Sequence, residues 1–538
     1  MIRRMRWFKR LFRVWSKPRP GLYVYINSSM RHPPLHPPEA KEVGEASANW
    51  VGESGKGCGC FHLRVQSDGS GLLFVDLSDP VHLNPMATQL IWQALEGRSP
   101  QEVFGQLCRS VPKALWPQLR QTVEGFFGWL NRLTSGGSCC AWQSLAEAGA
   151  FGCNGGGLAG ANSARSGQYE SPQAMPIGWA EQRPRFSLPV QAPYKVDVVV
   201  QYGCNNQCGH CYNPPERRRQ PPMSFQTWKQ LLRKLSDLGV PHLILTGGEP
   251  TLCPDLPERI RLARQYGFVV GLNTNGRRLS DPAYTAQLAQ AGLNHVQITL
   301  LSHQPEIHNR LSRAGAEQPL CSGDPFAETL CGIQNALAAG LHTVTNTTLT
   351  KHNTQEAESL VDFLYQVGIR TFAMNGIIRS GLGKQFPDAL AEEQLGPVLL
   401  CVRDRAAELG MRFLWYTPTQ YCRFSPLELE LGPRRCNAGQ YSICIEPNGD
   451  VLPCQSYYQP VGNLLRDPWS VIWESPLFRR LRARTEDPAG AGLPECCWQC
   501  PDLPVCAGGC MLAFSETRNP AEQSKFENSP KRAKSVSD

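Results

Sequence analysis

The stretch VDVVVQYGCNNQCGHC, residues 196–211, runs from a strand pattern straight into a loop that holds three cysteines. Val196 to Tyr202 is rich in β-branched residues, the composition of a buried strand. Cys204, Cys208 and Cys211 follow at spacings that let three thiolates face one cubane. A 4Fe-4S cluster held by only three cysteines keeps one iron open for another ligand. Two plainer readings compete, a zinc knuckle completed by His210 and three buried free cysteines. Structural zinc takes four ligands in a tetrahedron, and the adjacency of His210 to Cys211 strains that closure.

Downstream, HLILT, VVGLN, HVQITLL, TVTNTTL and TFAMN recur as strand candidates separated by helical stretches, as far as Trp415. This order predicts an α/β fold with a parallel sheet, a partial (β/α)6 barrel over residues 194–420. Gly247-Gly248-Glu249-Pro250 follows the second strand, Asn273-Thr274-Asn275-Gly276 the third, and Thr299 ends the fourth. Each of these is ordinary turn chemistry when taken singly. Together with the cysteine loop they mark the carboxyl ends of four successive strands, where barrel chemistry sits.

With these motifs the chain resembles the radical S-adenosylmethionine (radical SAM) superfamily, whose signature is a C-x-x-x-C-x-aromatic-C loop after the first strand of such a barrel. His210 stands in the aromatic slot. The resemblance implies that Cys204, Cys208 and Cys211 hold a 4Fe-4S cluster whose open iron binds S-adenosyl-L-methionine. It further implies that Gly247, Gly248, Glu249 and Pro250 meet the methionine amino group. Thr274 and Asn275 would line the cofactor site, and Thr299 would stand where relatives carry a serine against the ribose. An electron from a reductant such as flavodoxin or ferredoxin would then give a 5'-deoxyadenosyl radical that abstracts hydrogen.

After Cys422 the chain is cysteine-dense and turn-rich, which suggests a segment held by metal more than by a core. Cys436, Gly449 and Cys454 are followed by Cys497-x-x-Cys500, Cys506 and Cys510. A zinc ribbon accounts for one CxxC pair only. The ordered series resembles the SPASM extension, expected over residues 421–515, and implies one or two auxiliary 4Fe-4S clusters. By that resemblance Cys436, Cys454 and Cys510 share one cluster with Cys444 as fourth ligand, and Cys497, Cys500 and Cys506 share the other. The family's last cysteine lies beyond Cys510, where this chain has none. The second cluster is therefore left open, lost, or closed by a carboxylate such as Asp502, Glu516 or Glu522; Cys496 is poorly placed beside Cys497. Cys58, Cys60, Cys108, Cys139, Cys140, Cys153, Cys253, Cys321, Cys331 and Cys401 fit no array, and Cys253, Cys321 and Cys331 are candidate hydrogen donors without positional support.

Toward the amino terminus, residues 57–134 read as short strands followed by three helices, a small winged-helix-like α+β module. Asn84-Pro85 and Ser99-Pro100-Gln101-Glu102 are helix starts. VDLSDPVHLNPMATQLIWQALEGRSPQEVF resembles the peptide chaperone of pyrroloquinoline quinone biosynthesis, a leader-recognition element of peptide-modifying enzymes. That resemblance implies a leader added as a strand beside residues 80–83, against a helix carrying Leu119, Val123, Phe126, Phe127 and Leu130. A DNA-binding winged helix is the alternative, but Lys113, Arg120 and Arg132 are few bases for it. Residues 135–193 are a Gly/Ser/Pro-rich linker and 516–538 a polar tail.

The 538 residues carry a net charge of +8, and the first twenty hold eight Lys or Arg and no acid. The remainder is balanced, which argues against a nucleic-acid partner. Residues 1–56 read as a basic amphipathic head and a flexible tether. Residues 1–16 could touch an anionic membrane peripherally, or be a disordered extension. With no membrane span and no secretion signal, the expected location is the cytoplasm. The expectation is a maturase that grips the leader of a ribosomally made precursor peptide and modifies its core, by thioether formation, C-C or C-O crosslinking, epimerisation or excision of a tyrosine fragment. The alternatives are an enzyme acting on a folded protein and a non-catalytic iron-sulfur protein for electron transfer or peptide binding.

Overall fold

The structure is a computed structural model that describes residues 23–27, 60–65, 70–75, 81–95, 98–110, 113–135, 190–312 and 324–513. The chain forms two compact units, one ending at Pro189 and the other beginning at Val190.

The first unit has a four-stranded antiparallel sheet in the order β1 (Tyr23–Asn27), β2 (Cys60–Val65), β3 (Gly71–Val75), β4 (Val81–Leu83). β1 falls inside the stretch read as tether, which corrects that reading. Its sequence YVYIN alternates aromatic and β-branched residues, and it pairs with β2 from Cys60 to Arg64. Leu63, Leu72, Leu73 and Leu83 are buried, as are Ala87, Leu90 and Ile91 of the helix Pro85–Leu95. Asn84 Oδ1 accepts the Ala87 N–H at 2.9 Å, so the cap and the proline after it set where that helix starts. The helix Pro100–Leu107 opens with a full capping box between Ser99 and Glu102. A third helix, Trp116–Ser135, buries Val123, Phe126 and Phe127.

The second unit is built on a ten-stranded sheet in the order β11-β10-β9-β8-β7-β6-β5-β12-β13-β14. Seven parallel strands form the barrel portion: β5 (Lys195–Gln201), β6 (His242–Gly247), β7 (Val269–Thr274), β8 (His295–Thr299), β9 (His342–Thr348), β10 (Thr371–Asn375) and the short edge strand β11 (Arg412–Trp415). β5 and β11 are not paired, so the barrel is open. Alternation in β5 sends Val196, Val198 and Val200 into the main core and Val199 to the other face. The helix Phe225–Asp237, capped by Ser224, adds Trp228, Leu231, Leu232 and Leu235 to that core at helical spacing.

The cysteine-dense segment departs from its expectation, because its apolar residues pack into the main core. β12 (Ser442–Ile445) pairs in parallel with β5 and extends the barrel sheet, with β13 (Asp450–Leu452) and β14 (Gly462–Asn463) antiparallel beyond it. Ile443, Ile445, Val451, Leu464, Ile472, Trp473 and Phe478 all join the main core. Residues 190–193, read as the end of the linker, are packed too: the Trp473 indole donates to the Val190 carbonyl at 3.2 Å. Among the described residues no helix is long and apolar enough to cross a membrane.

Candidate functional site

β5 delivers the cysteine loop, β6 the Gly-Gly-Glu turn and β7 the Asn-Thr-Asn-Gly turn, side by side at the carboxyl end of the sheet. The two glycines of the turn serve backbone approach. A Cβ on Gly247, whose φ is +143°, would sit 1.9 Å from the Gln201 carbonyl oxygen, and one on Gly248 would meet the Tyr202 and Gly203 carbonyl oxygens at 2.3 Å. The Gly248 N–H donates to Gln201 O at 2.9 Å and the Glu249 N–H to Gly203 O at 2.8 Å. Glu249 is thereby fastened to the residue preceding Cys204.

The Glu249 side chain is buried and held from all sides. Oε1 accepts from the Thr251 N–H at 3.0 Å, the Thr251 hydroxyl at 2.6 Å and the Thr274 hydroxyl at 2.7 Å. Oε2 accepts from the Asn275 N–H at 2.7 Å, one bond where an oxygen has room for two. Burial pushes its carboxyl above the usual carboxylate range, opposed by those donors. Thr274 and Asn275 are thus engaged with protein groups: Asn275 Nδ2 also donates to Asn205 Oδ1 at 2.6 Å, inside the cysteine loop. Thr299 ends β8 half-buried, in register with Asn346.

Cys204, Cys208 and Cys211 lie within electrostatic reach of one another. Burial pushes the Cys204 thiol up to about 12, with the Glu249 charge adding to it, and raises Cys208 and Cys211 as well. Arg218 opposes the shift at all three sulfurs, and its guanidinium donates to the Asn206 carbonyl at 3.2 Å. Arg277 is buried and bridges Asn205 O at 2.8 Å, Asn206 Oδ1 at 3.1 Å and Glu328. Neither arginine carries a signal in the sequence, since nothing local relates them to the loop they brace. His210 is driven down to about 4 by burial, so it is neutral, and its buried Nδ1 has no protein partner.

Among the described residues, no three His, Cys, Asp or Glu side chains form a group that could hold a single metal ion. Three thiols on one loop, an unpartnered ring nitrogen beside them and a buried carboxylate with acceptor capacity form a donor set that suits a cluster with a zwitterionic ligand.

Residues 198–364 match the radical SAM superfamily, and residues 436–501 match SPASM, an iron-sulfur cluster-binding domain. A PqqA peptide cyclase of Streptomyces rochei is 30% identical over 343 residues, which cover 62% of this chain and 88% of the relative. The chain belongs to the radical SAM superfamily. The mycofactocin maturase MftC of Mycobacterium ulcerans is 28% identical over 338 residues, 61% of this chain and 86% of that one. Streptococcus suis SuiB, in a crystal structure bound to its precursor peptide SuiA, shares the fold with a TM-score of 0.56 at 16% identity, over 86% of this chain and 96% of SuiB.

This radical SAM enzyme uses S-adenosyl-L-methionine with a 4Fe-4S cluster, and its SPASM domain adds auxiliary iron-sulfur chemistry. In that domain Cys454 lies within electrostatic reach of Cys436, Cys444 and Cys510, and Cys510 within reach of Cys436. Burial raises the Cys444 and Cys454 thiols and pushes Cys510 up to about 12. The buried Arg484 ties both ends of the set, donating to Cys436 O at 2.9 Å and Gly509 O at 3.3 Å. A second group gathers Cys497, Cys500 and Cys506 around Leu493 and Leu503. Of the remaining candidates, Cys253 donates to Asp255 at 2.9 Å and Cys331 faces Ser280, while Cys321, Glu516 and Glu522 lie outside the described residues.

Proposed function

We propose that this enzyme modifies the core of a ribosomally made precursor peptide while its N-terminal unit holds the leader. The carrying observation is the position of β4, at the edge of the four-stranded sheet and paired on one side with β3. A leader strand added there would gain main-chain hydrogen bonds, with side-chain pockets choosing the sequence. On the third helix of the same unit Leu119 is part-exposed, while Val123, Phe126 and Phe127 are buried in the core. The peptide substrates named for the PqqA cyclase and for SuiB favour the same reading.

When bound, the cluster and S-adenosyl-L-methionine supply a radical able to take hydrogen from an unactivated carbon. The chain's own residues bind and orient. Cys204, Cys208 and Cys211 hold the cluster, Glu249 Oε2 takes the methionine ammonium, and Gly247 and Gly248 keep that carboxylate against the cluster loop. Pro250 starts the turn that presents Thr251 to Glu249. The neutral His210 offers Nδ1 toward the cofactor, and Thr299 lines the site from β8. Cys436, Cys444, Cys454 and Cys510 hold one auxiliary cluster, and Cys497, Cys500 and Cys506 hold another. A flavodoxin or ferredoxin would deliver the electron.

The test compares the cognate precursor with the same peptide lacking its leader. Leader removal should lower turnover at least about a hundredfold, which corresponds to about 2.7 kcal/mol of binding, and should leave uncoupled S-adenosylmethionine cleavage unchanged. Equal turnover on the two peptides would contradict leader recognition.

A further inference from the structure

The second auxiliary group has three cysteines of the expected spacing, and residues 511–538 hold no cysteine. We propose that Cys422, from the turn that enters the SPASM domain, closes this cluster as its fourth thiolate. The proposal deepens the auxiliary-cluster reading above and rests on it.

The geometry is set by the segment 419–422, which lies directly on Cys506. The Cys506 sulfur is 3.6 Å from the Thr419 carbonyl oxygen, and the Tyr421 N–H points at the same sulfur. Tyr421 is the residue before Cys422. On the opposite side, Gly509 is so close that a Cβ there would stand 3.0 Å from the Gln420 nitrogen. Three consecutive residues after Cys506, Ala507, Gly508 and Gly509, have left-handed backbones with φ of +48°, +76° and +76°. That conformation aims successive N–H groups inward as an anion-binding concavity, and the Gly508 and Gly509 N–H groups do converge on the Cys506 sulfur.

Cys422 completes the group from the other side. It lies within electrostatic reach of Cys496, Cys500 and Cys506, and Cys497 lies within reach of Cys422 and Cys506 in turn. Four thiols from three separate segments, 422, 497–500 and 506, therefore lie near one another. Cys496 shares the neighbourhood, but it sits next to Cys497 on the short helix Glu495–Trp498. Its side chain contacts that of Cys497, and two consecutive residues are poorly placed to ligate one cubane alongside Cys500 and Cys506. Asp502 and Cys422 are both exposed, but a carboxylate is a harder ligand than the thiolate available at Cys422. The upstream cysteine thus supplies the fourth thiolate.

The experiment begins with the full chain carrying Cys204→Ala, Cys208→Ala and Cys211→Ala, reconstituted anaerobically, which should hold about eight irons at four per cubane. Adding Cys422→Ser should lower the count toward about four, or keep the iron and shift one set of auxiliary electron paramagnetic resonance signals. Adding Cys496→Ser should change neither. Unchanged iron and signals with Cys422→Ser would overturn the proposal. About four irons in the parent protein would mean that there is no second cluster, a failure of the underlying reading that the proposal does not survive. Loss of all iron with Cys422→Ser would mark a misfolded domain, and a measurement on the unsubstituted enzyme then decides. Cys401, Cys422 and Cys496 are all exposed, so iodoacetamide should label Cys401 and Cys496 whether or not the enzyme is loaded with iron, and should label Cys422 only after chelation frees its thiolate. Labelling of Cys422 in the loaded enzyme at the rate of Cys401 would overturn the assignment.

Discussion

Glu249 is bound by two hydroxyls and two backbone N–H groups, and each donor has a separable role. Thr251 is fully buried, and its hydroxyl gives Glu249 its shortest bond, at 2.6 Å. Thr251→Val keeps the shape and removes that donor alone. A hydrogen bond to a charged group is worth about 1.5–3 kcal/mol, so S-adenosylmethionine binding should weaken about tenfold or more with iron content unchanged. The carboxyl, already raised by burial, rises further without the donor, so the defect should grow as pH falls. Binding of S-adenosylmethionine by calorimetry at two pH values checks this; wild-type affinity at both would contradict it. Glu249 itself was legible, because a Gly-Gly-Glu turn after a strand has a recognisable spacing. Thr251, Arg218 and Arg277 were not, because their importance comes from where the chain returns in space.

At the scale of elements, His295 begins β8 beside His342 at the start of β9, and Gly271 of β7 leaves room for its ring. Burial, with His342 and His242 adding to it, drives His295 down to about 3, and burial lowers His342. The folded state therefore keeps His295 neutral while the unfolded chain, with a pKa of about 6.5, takes a proton below that pH. The stability contributed is complete above pH 6.5 and is lost as pH falls toward 3, with the folded-to-unfolded ratio dropping about tenfold per unit for this one group. His295→Gln should flatten the fall in urea midpoint between pH 7 and 5, and an unchanged slope would contradict the assignment. The six longer barrel strands were legible as buried apolar runs between helical stretches. β12 was not, since its partner β5 lies some 240 residues earlier and no local pattern encodes that pairing. β1 was hidden inside a polar, proline-rich stretch for a related reason, five strand-forming residues being too few to stand out.

Across the whole second unit, the SPASM segment and the first cysteine loop are joined by one polar network. Glu446 pairs with Arg217 and accepts from the Tyr202 hydroxyl at 2.6 Å; Arg217 lies 4.0 Å over the Tyr458 ring; and Tyr458 donates to Asn213 at 2.7 Å, just past Cys211. Glu446→Ala would take the carboxylate from a half-buried guanidinium and a buried phenol, leaving the 3.3 Å bond from Arg217 to the Tyr202 hydroxyl. Breaking such a pair from one side costs about 3–5 kcal/mol, read as a lower denaturation midpoint and faster iron loss from the first cluster. Retention of both would show that the network is dispensable. The two iron-sulfur segments were legible from cysteine spacing, whereas their connection depends on residues with no motif at all.

The account's central claim is hydrogen abstraction from a peptide by a radical generated at the Cys204, Cys208 and Cys211 loop. The most direct measurement uses reconstituted enzyme, reductant, S-adenosylmethionine and the cognate precursor deuterated throughout its core, with mass analysis of the 5'-deoxyadenosine formed. The account predicts deuterium in 5'-deoxyadenosine only when the peptide is present, a matching change in peptide mass, and neither product with the triple alanine variant of the loop. Deoxyadenosine free of deuterium alongside a modified peptide, or turnover that survives in the triple variant, would contradict it.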